Sequence, residues 1–466
     1  MFPMIMYVIL GTSRHNSIGV FAVACMMTSQ ILTEVKAHLD VPEDRLADVA
    51  SATALIAGIY LLMLGVLKLG GLNIFLSDQF VSGFTAGVSV HIGTSQLSGL
   101  FGFKMGHYSG VFSVTKPYVD FFPRILDKTD IPTLVFSVIS ITHILAVKMA
   151  IDPFMLRRIH MPFPIEMVKV ILSIIVSKLD LQEKSFKVIE HIPNNLPVPH
   201  LPVISSILFQ MVVVDALAVA IASLTIDVSL GRIWAHEKGY QISANQELFA
   251  LGCANLFGAC FGAFPVGASV PKSSFKFLSG GRTQIASLSD VIFIGVTIVA
   301  LDTPLEQTST AILSSLIIVS QESLYASPRV QEFLGNLQNR RRRYRLQEKC
   351  WHVRLVTFFS TVFLNVQLGY IYGVIFSLLT LVFKIQMPKT FFLGSIPNTD
   401  FYVPIKMYGQ ATEFPGVKIF HFGGPPHFGN AEFFRSELAR RTCFDMKVSK
   451  NPVADTSQTK QSSDVV

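Results

Sequence analysis

FPVGASVPKSSF, residues 264–275, is the stretch whose reading decides the fold. It follows an apolar, glycine-rich run, LFALGCANLFGACFGA (248–263), and is itself small and hydroxylated, with two prolines and one lysine. The segment is too broken for a continuous helix and too apolar at its borders for a solvent loop. At membrane depth such backbone is tolerated only where it lines a cavity inside the protein, because lipid leaves free peptide groups unpaired. A second segment of the same kind, GTSRHNSIGVFAV (11–23), lies about 250 residues earlier. Each starts a helix out of a polar turn containing Gly or Pro. Corresponding interrupted helices in two halves of a chain point to a site built from inverted repeats.

The rest of the chain supplies the membrane. Half of the 466 residues are hydrophobic and only 15% are charged, against about 25% in soluble domains. Mean hydropathy is +0.50. Roughly a dozen hydrophobic segments follow one another up to residue 385. Several are shorter than the ~20 residues a bilayer needs, which is expected of helices that line a cavity. Net charge is +7, and it concentrates in MLRRIH, GRIWAHEKGY, KFLSGGR and NRRRRYRLQEK. Such runs set topology and contact anionic lipid, so they do not imply nucleic acid. All four fit on one side, the cytoplasmic one, which leaves the connections around Pro193–Pro202 and LDTPLEQ (301–307) outside. The plasma membrane is the expected location. Five cysteines form no CxxC pair, and those in apolar segments read as buried free thiols. The apolar start has no basic region before it, so no cleavable signal peptide is expected.

The character changes near Ile396. Residues 397–447 carry strand-like patches and a short amphipathic helix, GNAEFFRSELARRT, and read as a cytoplasmic α/β piece. Residues 448–466 are polar, lack large hydrophobes and read as disordered.

The chemistry of the two interrupted helices favours an anion. A helix begun at mid-membrane directs unpaired N–H groups and a positive partial charge into the cavity. Ser269, Ser273 and Ser274 add hydroxyl donors, and Lys272 adds a full charge. Asp215 and Asp227 lie in one apolar span but twelve residues apart, so their directions differ by roughly 120°. They read as separate, with Asp227 a candidate for coupling to a cation or proton. His91 and His143 read as packed, hydrogen-bonded histidines. With no Walker A motif, zinc spacing or nucleophile elbow in view, an enzyme, a resident cofactor and a metal site all lack support.

Several stretches carry a resemblance to a known family. YVILGTSRHNSIGVFAV, FVSGFTAGVSVHIGTSQLSGLFG, HIPNNLPVP and above all HEKGYQISANQELFALGCANLFGACFGAFPVGAS resemble the SulP family of sulfate permeases and solute-carrier anion exchangers. VKIFHFGGPPHFGNAEFFRSEL resembles the start of that family's STAS domain. The resemblance implies an all-α polytopic membrane protein of two inverted seven-helix repeats, arranged as core and gate, followed by a partial α/β STAS domain. It implies about 12 helices in residues 1–385, with roughly the first one to two helices of the family pattern missing. The anion would lie between the amino ends of the third and tenth helices. Phe21, Ser269, Lys272 and Ser273 would be the binding residues. Pro271 stands where prestin-like members place an anion-holding serine, which removes two donors. The implied function is secondary active exchange of anions such as sulfate, chloride, bicarbonate or oxalate by alternating access. The implied partners are inorganic or small organic anions, lipid, and a second copy joined through gate helices and STAS domain. Two rivals stand beside it. A nucleobase–cation symporter would need a carboxylate at the start of the tenth helix. A truncated, non-transporting product would instead associate with full-length transporters.

Overall fold

The computed structural model describes residues 1–39, 41–42, 45–71, 77–103, 106, 110–159, 163–179, 187–189, 192, 196–325, 351–397 and 399–442. The arginine run at Arg340–Arg345 and the polar tail 448–466 lie outside them. The chain divides into two compact units, Met1–Ser377 and Leu378–Val466.

The first unit is helical. In chain order it runs α1 (Phe2–Leu10), β1 (Ile18–Gly19), α2 (Ala22–Leu39), α3 (Leu46–Val66), α4 (Asp78–Phe101), α5 (Thr115–Lys128), α6 (Ile131–Ala150), α7 (Asp152–Arg158), α8 (Ile165–Leu179), α9 (Ser206–Lys238) and α10 (Ala244–Ala259). Next come β2 (Gly267–Ala268), α11 (Val270–Leu278), α12 (Ala286–Ala300), α13 (Asp302–Glu306), α14 (Thr310–Tyr325), α15 (Trp351–Phe363) and α16 (Val366–Gln386). Among the described residues four helices are long and apolar enough to cross a membrane, within Leu46–Val66, Ile131–Met155, Ser206–Lys238 and Val366–Gln386. The other hydrophobic segments form shorter or more polar helices. The Gly- and Ser-containing stretch 78–101 is one continuous helix.

Local chemistry sets several boundaries. Ser77, Ser205 and Ser243 stand at helix starts and accept from Phe80 N, Leu208 N and Gln246 N. Gly102 and Gly239 close α4 and α9 at φ of 74° and 70°, a left-handed geometry in which a Cβ is strained.

Small residues then bring helices together, as expected where packing has little help from a hydrophobic driving force. A Cβ added to Gly58 of α3 would stand 3.0 Å from Leu256 Cγ of α10, and one added to Gly252 of α10 would stand 2.9 Å from Leu62 Cγ of α3. The α3–α10 pair is thus closed from both sides. Gly87 of α4 meets Thr361 of α15 in the same way, at 2.6 Å. A core of Ile18, Phe21, Met27, Leu61, Phe84, Val219, Leu251 and their neighbours fills the space between α2, α3, α4, α9 and α10.

Residues 187, 189 and 192 are hydrogen-bonded to residues 310, 308 and 306. Ile189 N donates to Thr308 O at 3.1 Å, Thr310 N to Lys187 O at 3.0 Å, and Ile192 N to Glu306 Oε1 at 2.8 Å.

The second unit holds a three-stranded antiparallel sheet, β3 (Thr390–Ser395), β4 (Tyr402–Pro404) and β5 (Ile419–Phe422), in the order β4-β3-β5. The helix α17 (Ala431–Thr442) packs Phe434 edge-on against Phe420 and Phe422. Glu437 of this helix is gripped by Arg440 and Arg441, each at 2.6 Å. The sheet starts at Thr390, ahead of the change in sequence character near Ile396. Thr390–Ser395, TFFLGS, is apolar enough to pass for the tail of the preceding span.

Candidate functional site

Two short strands carry the two interrupted helices into contact. Ile18 of β1 pairs with Ala268 of β2, and Gly19 with Gly267, in an antiparallel ladder. Ser269 N donates to Ser17 O at 3.1 Å, which extends the ladder to the start of α11. The helices α2 and α11 leave this ladder from Ala22 and Val270. Their amino ends therefore begin inside the helical unit, beside each other. The two helix starts are legible in the sequence, but the strands that join them are not. Two-residue strands leave no alternation to read in a sequence.

The polar knot GTSRHNS anchors the ladder, and most of its bonds reach residues more than two hundred positions further along the chain. Glu247 of α10 accepts from Thr12 N and Ser13 N at 2.8 Å each, from the Thr12 hydroxyl, and from Tyr7 OH at 2.6 Å. Gln284 donates to Ser13 O and to Asn16 O, at 2.5 and 2.7 Å. Lys276 Nζ in turn donates to Gln284 Oε1 at 2.9 Å and to Ser287 Oγ at 2.8 Å. Glu247, Gln284 and Lys276 were not singled out from the sequence. Glu247 sits in the first turn of α10, where a carboxylate reads as ordinary helix-end chemistry.

The singled-out residues fall in several places. Phe21 is buried, and its ring lies over β2: a Cβ on Gly267 would stand 2.6 Å from Phe21 Cε1. Ser269 is the residue before the first turn of α11 and is 7% exposed. Lys272 is exposed, and its Nζ reaches across to the opposite segment, where a Cβ on Gly19 would stand 3.3 Å away. These three lie beside the β1–β2 ladder. Ser273 is fully buried, and its Oγ accepts from Ser17 N at 2.9 Å. Its acceptor role braces the ladder. Pro271 occupies the first turn of α11 and supplies no N–H there, a position where proline is well tolerated.

Asp227 is fully buried on α9. Asn16 Nδ2 donates to Asp227 Oδ1 and to Asp227 O, both at 2.8 Å, while Asp227 Oδ2 has no partner. Asp215 is half-buried elsewhere on the same helix. His91 is packed and hydrogen-bonded, with Nε2 2.7 Å from Thr361 O. His143 departs from expectation, because it lies exposed on the outer side of α6. Among the described residues no group of His, Cys, Asp and Glu could hold a metal ion.

A family model for the sulfate permease family matches residues 1–337. The chain belongs to this family. It is 32% identical over 461 residues to prestin of Rattus norvegicus, covering 95% of this chain and 60% of that protein. It is 31% identical over 455 residues to solute carrier family 26 member 6 of Homo sapiens, covering 96% of this chain and 58% of that protein. The structure of the murine solute carrier 26 family member A9 anion transporter, in its inward-facing state, superposes with a TM-score of 0.78 at 27% identity, covering 95% of this chain and 72% of that one. The chain spans about 60% of the length of the curated relatives it matches. The fold is the mostly helical transporter fold of this family, with a small α/β unit after it.

Proposed function

We propose that this sulfate permease family member moves small anions across a membrane as a secondary transporter and acts as no enzyme. One observation carries the reading. The amino ends of α2 and α11 are joined by the β1–β2 ladder, and Lys272 reaches from one side of the gap to the other. Two helix amino ends present free N–H groups and positive partial charge to one volume. An anion there meets both dipoles and one ammonium group, with Ser269 at the rim and Phe21 closing the wall. The related prestin, member 6 and member A9 proteins support the same reading. Sulfate, chloride, bicarbonate and oxalate fit this chemistry.

Transport by alternating access would move the unit that holds the ladder relative to the remaining helices, with the anion riding on the helix ends. Asp227 Oδ2 is the atom that would take a proton or cation if transport is coupled. The basic connections would face the cytoplasm together with the STAS-like unit, and a second copy would join through gate helices and that unit.

Uptake of radiolabelled sulfate and chloride into proteoliposomes tests the proposal. We expect saturable uptake that Lys272→Ala weakens, chiefly as a raised KM, and that Lys272→Arg retains. Absence of uptake for both anions, or uptake indifferent to Lys272→Ala, would overturn the site.

A further inference from the structure

The face that α11 buries is narrow. Of its nine residues the buried ones are Ser273 and Lys276, three apart and so on one side of the helix. Lys276 is 8% exposed, and a lysine is almost never buried so deeply unless it is paired. Here the ammonium donates to two neutral groups, Gln284 Oε1 at 2.9 Å and Ser287 Oγ at 2.8 Å. Among the described residues no carboxylate is hydrogen-bonded to it. Asp290, half-buried on α12, acts on it through space and itself accepts from the Ser17 hydroxyl at 3.3 Å. A buried charge with neutral partners recovers only part of its desolvation penalty. Stability by itself therefore does not call for a lysine at this position.

The bonds beyond Lys276 run in one direction. Ser287 Oγ also donates to Gln284 Oε1, at 3.0 Å. On its other side the Gln284 amide directs Nε2 to Ser13 O and Asn16 O. The ammonium can only donate and the two carbonyls can only accept, so the amide fits between them in one orientation. A positive charge on the amide oxygen polarises the group and strengthens the N–H bonds on its far side. Ser13 and Asn16 belong to the turn that leads into β1, and the next residue, Ser17, donates its N–H to Ser273 Oγ. The buried face of α11 thus holds residues 13–17 twice, directly at Ser273 and through Gln284 at Lys276.

We propose that Lys276 is a positioning residue for anion binding. Through Gln284 its ammonium fixes residues 13–17 against α11, which sets the β1–β2 ladder and the placement of the two helix amino ends. The chain keeps a buried charge there for the geometry of the site, against its stability. The inference rests on the anion-transport reading, but two arms of its test do not pass through transport.

Lys276→Met keeps an unbranched side chain and removes the charge. It leaves Gln284 Oε1 the bond from Ser287, so that acceptor is not orphaned. For the intact protein in lipid nanodiscs the thermal midpoint is expected to stay or to rise. Isothermal titration with sulfate and with chloride should show Kd raised about tenfold, the worth of roughly one hydrogen bond to a charged group. Amide hydrogen exchange in peptides spanning residues 11–23 should speed up by a similar factor, with peptides of α3 and α4 unchanged. Gln284→Met should match it in affinity and exchange. The double variant should be no worse than either single one, because both cut the same chain of bonds. A midpoint that falls sharply for Lys276→Met makes the lysine part of the scaffold and overturns the proposal. Unchanged affinity, or unchanged exchange in 11–23, overturns it as well. So do additive losses in the double variant, since the charge would then act on the anion directly and not through Gln284. A parent protein that neither binds nor takes up either anion defeats the transport reading alone, and the midpoint and exchange arms still decide whether Lys276 sets the ladder.

Discussion

Ser17 N–H donates to Ser273 Oγ at 2.9 Å, and Ser269 N–H donates back to Ser17 O at 3.1 Å. This reciprocal contact locks two helix starts that the sequence separates by about 250 residues. It gives a buried hydroxyl a definite job, which is to satisfy a peptide N–H that no helix or sheet partner reaches. Ser273→Ala removes that acceptor and leaves the N–H buried and unpaired, a cost of about 1–3 kcal/mol. Thermal unfolding in detergent should show a lower midpoint for Ser273→Ala and a near-normal one for Ser273→Thr. Equal midpoints for all three proteins would show that the hydroxyl braces nothing.

Gly267 and Phe21 form a second coupled pair. An added Cβ at Gly267 would stand 2.6 Å from the Phe21 ring, closer than real contacts allow, so the ring must move. Gly267→Ala is expected to lower uptake sharply. Phe21→Leu in the same chain should recover part of it, because the smaller side chain frees the space. A double-mutant cycle measures this coupling, expected at about 0.5–3 kcal/mol for residues in contact. Strict additivity would place Phe21 away from the working geometry.

Pro271 lowers the donor count at the mouth of α11, since it has neither an N–H nor a hydroxyl. Pro271→Ser restores both. Equilibrium binding of sulfate or chloride, followed by isothermal titration, should tighten by about two- to tenfold, the worth of roughly one net hydrogen bond. Weaker binding would show that the ring's fixed φ matters more than the donors it removes.

Glu247 holds the polar knot with one carboxylate, which accepts from two backbone N–H groups and from Tyr7 OH. Glu247→Gln removes the charge that strengthens all of these bonds. The expected loss is about 1.5–3 kcal/mol of stability, the range for hydrogen bonds to a charged group. The variant should also lose anion affinity, because the 12–17 turn positions the start of α2. Unchanged stability would mean that Gln284 and the other partners of the knot hold it without the Glu247 charge.

The Glu437 carboxyl in the second unit is pulled down to about 2, first by the hydrogen bonds from Arg440 and further by Arg441, while burial opposes them. A depressed carboxyl stabilises the fold most above its unfolded value of about 4.3. That contribution declines as pH falls from there and is lost through the folded value of about 2. A carboxyl ¹³C titration of glutamate-labelled protein, assigned with Glu437→Gln, should place this midpoint below the ordinary glutamate range. Arg440→Gln should raise it. A midpoint near the unfolded value in the parent protein would contradict the paired geometry.

The sequence alone determined the class of the molecule and the address of its two interrupted helix starts. Hydropathy, the scarcity of charge and two polar, Gly/Pro-broken helix starts are local properties. They marked residues 11–23 and 264–275 before any contact was known, and with them Phe21, Ser269 and Lys272. Tertiary structure decided what those segments do to each other. The β1–β2 ladder is two residues long on each side, too short to leave a periodic signal. Ser273 reads as one more hydroxyl at a helix mouth until Ser17 is seen to donate to it. Glu247, Gln284 and Lys276 look like ordinary polar residues near helix ends, and they become anchors only because α10 and the α11–α12 turn pack against the knot. Periodicity and composition are written along the chain, but hydrogen-bond partners more than two hundred residues away are chosen by the packing that brings them within 3 Å.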